Sequence, residues 1–290
     1  MSEPIARRIP LATGLDYNVL EWDAPSDHTI LLLHGFLDNA WTWEWLVDAG
    51  LHGRAHLIAP DWRGHGDSAW IGAGGYYHFV DYIADLASLV DLVARRRLSI
   101  VGHSLGGMVT GYYAGTFPAR AEGLVLIEGL GPPEGTFDPA RMERWITGWR
   151  GARARGNRSY ASLDEATARL LQSDSELDPP RARRLAERGT RLGDDGRWRF
   201  KHDPLHVTQG PHAFTLPVAR AFWQAISAPA LLIDGSTSQF QLPPEDAAAR
   251  RAAIRGSRHV VIEGTGHSPH RHRPAEVATL VAAHLLDGTT

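Results

Sequence analysis

A doubly wound α/β domain on a mostly parallel sheet is the fold class this sequence predicts, and three observations predict it. Short apolar runs alternate with longer amphipathic segments up to about Leu130. Several of those runs are apolar at successive residues, as strands covered on both faces require. The alternation stops at Gly131 and resumes at Ala230, so one sheet domain is interrupted by an insertion.

The elements follow in order. Tyr17–Trp22, Thr29–Leu33 and Ala55–Ala59 read as strands. Val80–Ala94 reads as a helix, with apolar residues at Val80, Ile83, Ala84, Ala87, Val90 and Val93. Leu98–Val101 is the next strand, Leu105–Phe117 a helix stopped by Pro118, and Gly123–Ile127 a further strand. From Gly131 to Gln224 strand signals cease, arginine is dense, and the apolar spacing suits short helices such as Met142–Trp149 and Ala182–Leu192. Asp178-Pro179-Pro180 opens one of them, because proline is tolerated in a first turn. Ala230–Asp234 and His259–Glu263 then read as strands and Pro274–Leu286 as a closing helix. The expected division is a core of residues 1–130 and 225–290 and a helical cap of residues 131–224, inserted after the sixth strand as a lid over a pocket.

Composition narrows the function classes. The chain has 290 residues, 43% hydrophobic and 22% charged, with a formal net charge of −3. No basic block stands out, so nucleic acid is not an expected partner. There are no cysteines, which excludes disulfides, a cysteine nucleophile and cysteine-ligated metals. Met1–Pro10 is charged with no apolar core, and no apolar run is long enough to span a bilayer. The expectation is a cytoplasmic protein acting on a small molecule, without a membrane span and without a metal or organic cofactor.

The segment Gly102-His103-Ser104-Leu105-Gly106 is G-x-S-x-G after an apolar strand and before a helix. Such a turn lifts a serine hydroxyl above the sheet edge and aims a helix N-terminus at the reacting centre, with the glycines leaving room for close packing. Ser104 is the expected nucleophile. Acyl transfer passes through an oxyanion that needs two donors. Leu105 N–H, directly after the nucleophile, is one; Phe36 N–H, after the strand ending in His34-Gly35, is the other.

Fifteen histidines compete for the base. His267, in Gly264-Thr265-Gly266-His267-Ser268-Pro269 after the last strand, lies where a parallel sheet gathers its functional loops. Its side-chain type titrates near neutrality and can carry the serine proton. His103 reads as a packing residue, and the H-x-H of His270 and His272 lacks a supporting carboxylate pattern for a metal. The acid that orients the histidine has two possible positions, both at strand ends: Glu128 after Gly123–Ile127, and Asp234 after Ala230–Ile233. Glu128 is preferred, because a carboxylate ending an otherwise apolar strand is costly without a partner.

Four segments carry a family resemblance: His34-Gly35-Phe36-Leu37-Asp38-Asn39-Ala40, Pro60-Asp61-Trp62-Arg63-Gly64-His65-Gly66-Asp67-Ser68, Gly102 to Gly107, and Gly264 to Pro269. Over nearly its whole length the chain resembles the α/β-hydrolase superfamily, and most closely its serine hydrolase-like proteins. The resemblance implies Ser104 as nucleophile, His267 as base, and Phe36 and Leu105 as oxyanion amides. It implies a structural role for the loop holding Asp61 and Arg63. The sequence departs from many relatives at the acid, where Ser238 stands in place of an aspartate. Some members, including certain haloalkane dehalogenases, instead carry a glutamate after the sixth strand, and Glu128-Gly129-Leu130 looks like that arrangement. Ser104 in place of an aspartate nucleophile separates this chain from dehalogenases and epoxide hydrolases.

The expected function is hydrolysis of a small to medium, apolar carboxylic ester through an acyl-enzyme. Thioester, lactone or carbon–carbon hydrolysis, acyl transfer and perhydrolysis share the same triad, and a non-catalytic ligand-binding protein shares the fold.

Overall fold

A computed structural model describes residues 2–287. Its centre is an eight-stranded sheet. The strands from the first part of the chain are β1 (Ile5–Pro10), β2 (Asp16–Trp22), β3 (His28–Leu33), β4 (His56–Pro60), β5 (Arg97–His103) and β6 (Gly123–Ile127). Three short strands follow outside this sheet: β7 (Ser159–Tyr160), β8 (Thr190–Leu192) and β9 (Trp198–Phe200). β10 (Ala230–Gly235) and β11 (Arg258–Ile262) complete the central sheet, in the order β1-β2-β4-β3-β5-β6-β10-β11. From β4 to β11 neighbours run parallel; β1 and β2 form an antiparallel edge.

The continuous apolar runs are explained by what covers each face. In β3, Leu31 and Leu33 point into one core cluster, Ile30 and Leu32 into another. Side chains alternate along a strand, so a run apolar at every position is stable only where both faces are dry. The first cluster is closed by α2 (Phe79–Val93), α3 (Leu105–Thr116) and later α7 (Leu216–Ala225), through Leu86, Leu89, Val109 and Trp223. The second is closed by the turns around α1 (Glu44–Leu46) and by the closing helix Pro274–Leu285, through Trp43, Leu46, Val277 and Val281. Each such side chain contributes roughly 1.5–3 kcal/mol by leaving water.

Between β6 and β10 lie α4 (Pro139–Arg155), α5 (Leu163–Ser173), α6 (Pro179–Gly189) and α7, joined by β7, β8 and β9. The expected absence of strands in this stretch is corrected: β7, β9 and β8 pair as a small antiparallel sheet. Strands of two or three residues are too short to show a period, and Gly196, at φ 71°, turns the β8–β9 hairpin. β1 was likewise unexpected, since Ile5-Ala6-Arg7-Arg8-Ile9-Pro10 is mostly exposed and its strand character comes from pairing with β2. α7, the last helix before β10, packs on α3 with Ala219 and Trp223 buried. Among the described residues no helix is long and apolar enough to cross a membrane.

Candidate active site

β5 runs straight into α3 through one residue, Ser104, at φ 50° and ψ −112°. A non-glycine residue pays about 1–3 kcal/mol for such a conformation and holds it only where its surroundings enforce it. Two close approaches do so here. A Cβ on Gly102 would lie 2.4 Å from the Gly106 carbonyl oxygen, and one on Gly106 would lie 2.2 Å from the Leu33 carbonyl oxygen. The Ser104 amide donates to Ile127 O at 2.9 Å, tying the turn to the end of β6. Three non-glycine residues among those described have positive φ: Leu37, Ser104 and Glu128. All three line cavities that meet at Ser104.

Glu128 occupies the first position after β6 with φ 51°. Its side chain is 8% exposed and fully engaged. Oε1 accepts from the Gly235 amide at 2.8 Å; Oε2 accepts from Ser238 Oγ at 2.8 Å and lies 3.0 Å from His267 Nδ1. A carboxylate facing Nδ1 places the ring proton there and leaves Nε2 as the free acceptor. Asp234, one residue further along the neighbouring parallel strand than Ile233, partner of Ile127, pairs instead with His259 Nε2 at 2.8 Å. Burial raises its pKa, and the nearby Glu128 charge raises it further.

Ser238, unable to act as an acid, serves here as a hydrogen-bond donor that orients Glu128. Sequence reasoning missed this role, because the contact joins residues 110 positions apart. It also missed what holds the His267 loop. His103 Nε2 donates to His267 O at 2.8 Å. His272 accepts from the Gly266 amide at 3.2 Å and donates to Asp174, after α5, at 2.8 Å. The loop carrying His267 is thus tied to β5 on one side and to the end of α5 on the other.

The two expected oxyanion amides sit close to Ser104. Leu105 begins α3, so its N–H has no carbonyl one helical turn before it. The Phe36 N–H makes no hydrogen bond among the described residues. His34 fixes the turn before it: Nδ1 donates to Gly35 O at 2.7 Å, and Nε2 accepts from the Trp62 amide at 2.9 Å. A Cβ on Gly35 would lie 2.7 Å from His103 Nδ1 and 3.3 Å from Ser104 Cβ, so glycine lets this backbone pass close to the nucleophile turn.

Asp61 and Arg63 are absorbed by the loop they stand on. Asp61 accepts from the Ala40 and Asp67 amides and from Asn18. Arg63 grips Asp85 with two bonds, at 2.6 and 2.7 Å, and Tyr17 bonds the same carboxylate.

The three histidines of the 267–272 segment diverge to different partners: His267 to Glu128, His270 to Thr42, and His272 to Asp174. A different set, Asp38, His103 and His270, places one donor atom each within 4.8 Å of one another. The Nδ1 atoms of both histidines are buried and unpartnered. Arg271 already pairs with Asp38, and its positive charge opposes a cation there.

An α/β sheet with its serine on a strained strand-to-helix turn, lining the same cavities as a histidine held by a carboxylate, is the architecture of a hydrolase. The alpha/beta hydrolase family profile matches residues 30–280, and the chain belongs to that family. It is 28% identical over 275 residues to a serine hydrolase-like protein of Danio rerio, covering 91% of this chain and 83% of the relative. An esterase of Mycobacterium tuberculosis is 27% identical over 272 residues, covering 91% of this chain and 84% of that protein. A hypothetical protein of Pseudomonas aeruginosa PAO1 superposes with a TM-score of 0.85 at 26% identity, covering 99% of both chains. The resemblance carried by the four sequence motifs is borne out, and these relatives support hydrolase activity.

Proposed function

We propose that this chain hydrolyses a small to medium carboxylic ester through a serine acyl-enzyme. The observation that carries the proposal is the buried Glu128 carboxylate 3.0 Å from His267 Nδ1, in a cavity shared with the strained Ser104. Ser104 Oγ attacks the carbonyl carbon while His267 Nε2 takes its proton. The oxyanion is stabilised by the Phe36 and Leu105 amides. His267 then protonates the leaving alcohol, and water repeats the sequence to release the acid. Glu128 holds His267 in the required tautomer and stabilises the imidazolium. These groups complete both half-reactions without a cofactor. In the same reading, residues 131–224 form a lid over the core of residues 1–130 and 225–290, anchored through α7.

A fluorophosphonate probe tests the reading without knowledge of the substrate. Rapid labelling, located at Ser104 by peptide mass spectrometry and abolished in His267→Ala, is the expected result. Folded protein that stays unlabelled and turns over no ester in a broad panel overturns it.

A further inference from the structure

Two cavities meet at Ser104, and their walls differ in charge. Phe36, Ser104 and His267 line both. The first, about 500 Å³, is walled on the insertion side by Asn157, Arg158, Tyr160, Arg169, Lys201 and His202. The second, about 530 Å³, is walled by apolar groups including Met108, Leu130, Phe240, Leu242 and Val261.

The cations of the first cavity fall into two pairs. Lys201 is neutralised by Asp67 at 2.8 Å, and Arg271 by Asp38, the one acidic residue among those lining this cavity. Arg158 and Arg169 have no carboxylate partner among the described residues; Arg158 only lies over the Tyr160 ring, 5.4 Å from its centre. Elsewhere in residues 131–224, Arg181, Arg183, Arg184 and Arg199 meet acidic side chains, whereas others such as Arg144 and Arg197 meet only neutral ones, so what sets Arg158 and Arg169 apart is their place on this cavity wall. Two exposed guanidinium groups without a carboxylate partner thus line the cavity that Ser104 shares. The charges of the second cavity offset one another: Glu128 is engaged by Ser238 and His267, Asp234 by His259, and the one arginine on this wall, Arg251, acts on Asp234 through its charge.

We infer that the substrate is amphiphilic. Its reacting carbonyl sits at Ser104, an apolar half fills the second cavity, and an anionic group, carboxylate or phosphate, lies in the first against Arg158 and Arg169. A guanidinium presents paired donors that match the oxygens of either anion. A neutral ligand could accept hydrogen bonds from these groups but would not balance their charge. The net positive wall also draws an anionic substrate in from solution, an effect that salt screens. The inference rests on the serine hydrolase reading and adds the substrate class.

Matched ester pairs test it. On the alcohol side, 4-carboxyphenyl and 4-(phosphonooxy)phenyl hexanoate are compared with 4-carbamoylphenyl hexanoate. On the acyl side, the 4-nitrophenyl monoester of glutaric acid is compared with that of glutaramic acid. Each kcat/KM is divided by the ester's alkaline hydrolysis rate, and each comparison is a ratio on one enzyme preparation, so partial misfolding of a variant cancels. In one of the two sets the anionic ester is expected to lead by about tenfold or more at low salt. The lead shrinks as salt rises and falls to near parity in the double variant Arg158→Gln, Arg169→Gln. The two alcohol-side anions distinguish a carboxylate site from a phosphate site. Parity in both sets, or a lead that survives the double substitution, overturns the inference. Fluorophosphonate labelling of Ser104 separates the two readings: labelled enzyme without charge preference sinks the amphiphilic substrate alone, whereas unlabelled, inactive enzyme sinks the hydrolase reading too.

Discussion

Glu128 and Asp234 end adjacent parallel strands, yet their surroundings part them. The Glu128 side chain turns toward His267, receiving hydrogen bonds from Gly235 and Ser238 on the way, while Asp234 spends its charge on His259. Exchanging Glu128 for glutamine keeps the shape but can present an amide donor to Nδ1, favouring the wrong tautomer. Glu128→Gln is expected to lower kcat by up to about 10⁴-fold with an unchanged unfolding midpoint. Asp234→Asn is expected to leave kcat within about threefold, since Asn still accepts from His259. Steady-state kinetics on one ester decides between them, and the reverse pattern moves the acid to Asp234. Asp234 carries a raised pKa, so its charge opposes folding increasingly as pH rises above the ordinary carboxylate range.

At the scale of elements, the Pro60–Ser68 loop shows how charged residues near a site can be structural. Arg63, Asp85 and Tyr17 lock the loop after β4 onto α2 and β2, with the Asp85 side chain wholly buried. Removing one member of a buried ion pair leaves the other uncompensated in a dry interior. Arg63→Ala is expected to cost about 3–5 kcal/mol of stability. Urea unfolding measures it; a loss below about 1 kcal/mol would mean that water reaches Asp85 and the network is not a lock. The loop bearing His267 is held the same way, by His103 from β5 and by the His272–Asp174 pair.

Across the whole molecule, burial keeps many histidines neutral. It pushes the pKa of His34, His65, His103 and His270 down, and that of His206 to about 3. In the unfolded chain each would titrate near pH 6.5. Their contribution to stability is therefore complete above that value and is lost as pH falls toward the folded-state values. For each group the loss is about 1.4 kcal/mol per pH unit within that window. Asp61, raised by burial, acts in the opposite sense as pH climbs from the ordinary carboxylate range. The histidines dominate by number between pH 6.5 and 5, so the thermal midpoint is expected to fall steadily across that interval. A flat midpoint would show that these rings are solvated or protonated in the fold.

What the sequence alone determined was local or periodic. Runs apolar at successive residues announced the covered strands, Gly102 and Gly106 announced the tight turn at Ser104, and Pro118 the end of a helix. Each of these signals is carried by neighbours in the chain, so no partner needs to be known. β1, β7, β8 and β9 escaped because they are short or exposed and exist through cross-strand pairing. The sequence narrowed the carboxylate facing His267 to two strand ends. Only the tertiary structure separated them, because the choice depends on Ser238, Gly235 and His259 arriving from distant stretches of chain. The role of His103 and the charge of the cavity wall were decided the same way. A residue's partners across a packed interior follow from which strands lie side by side, and that adjacency has no period to read.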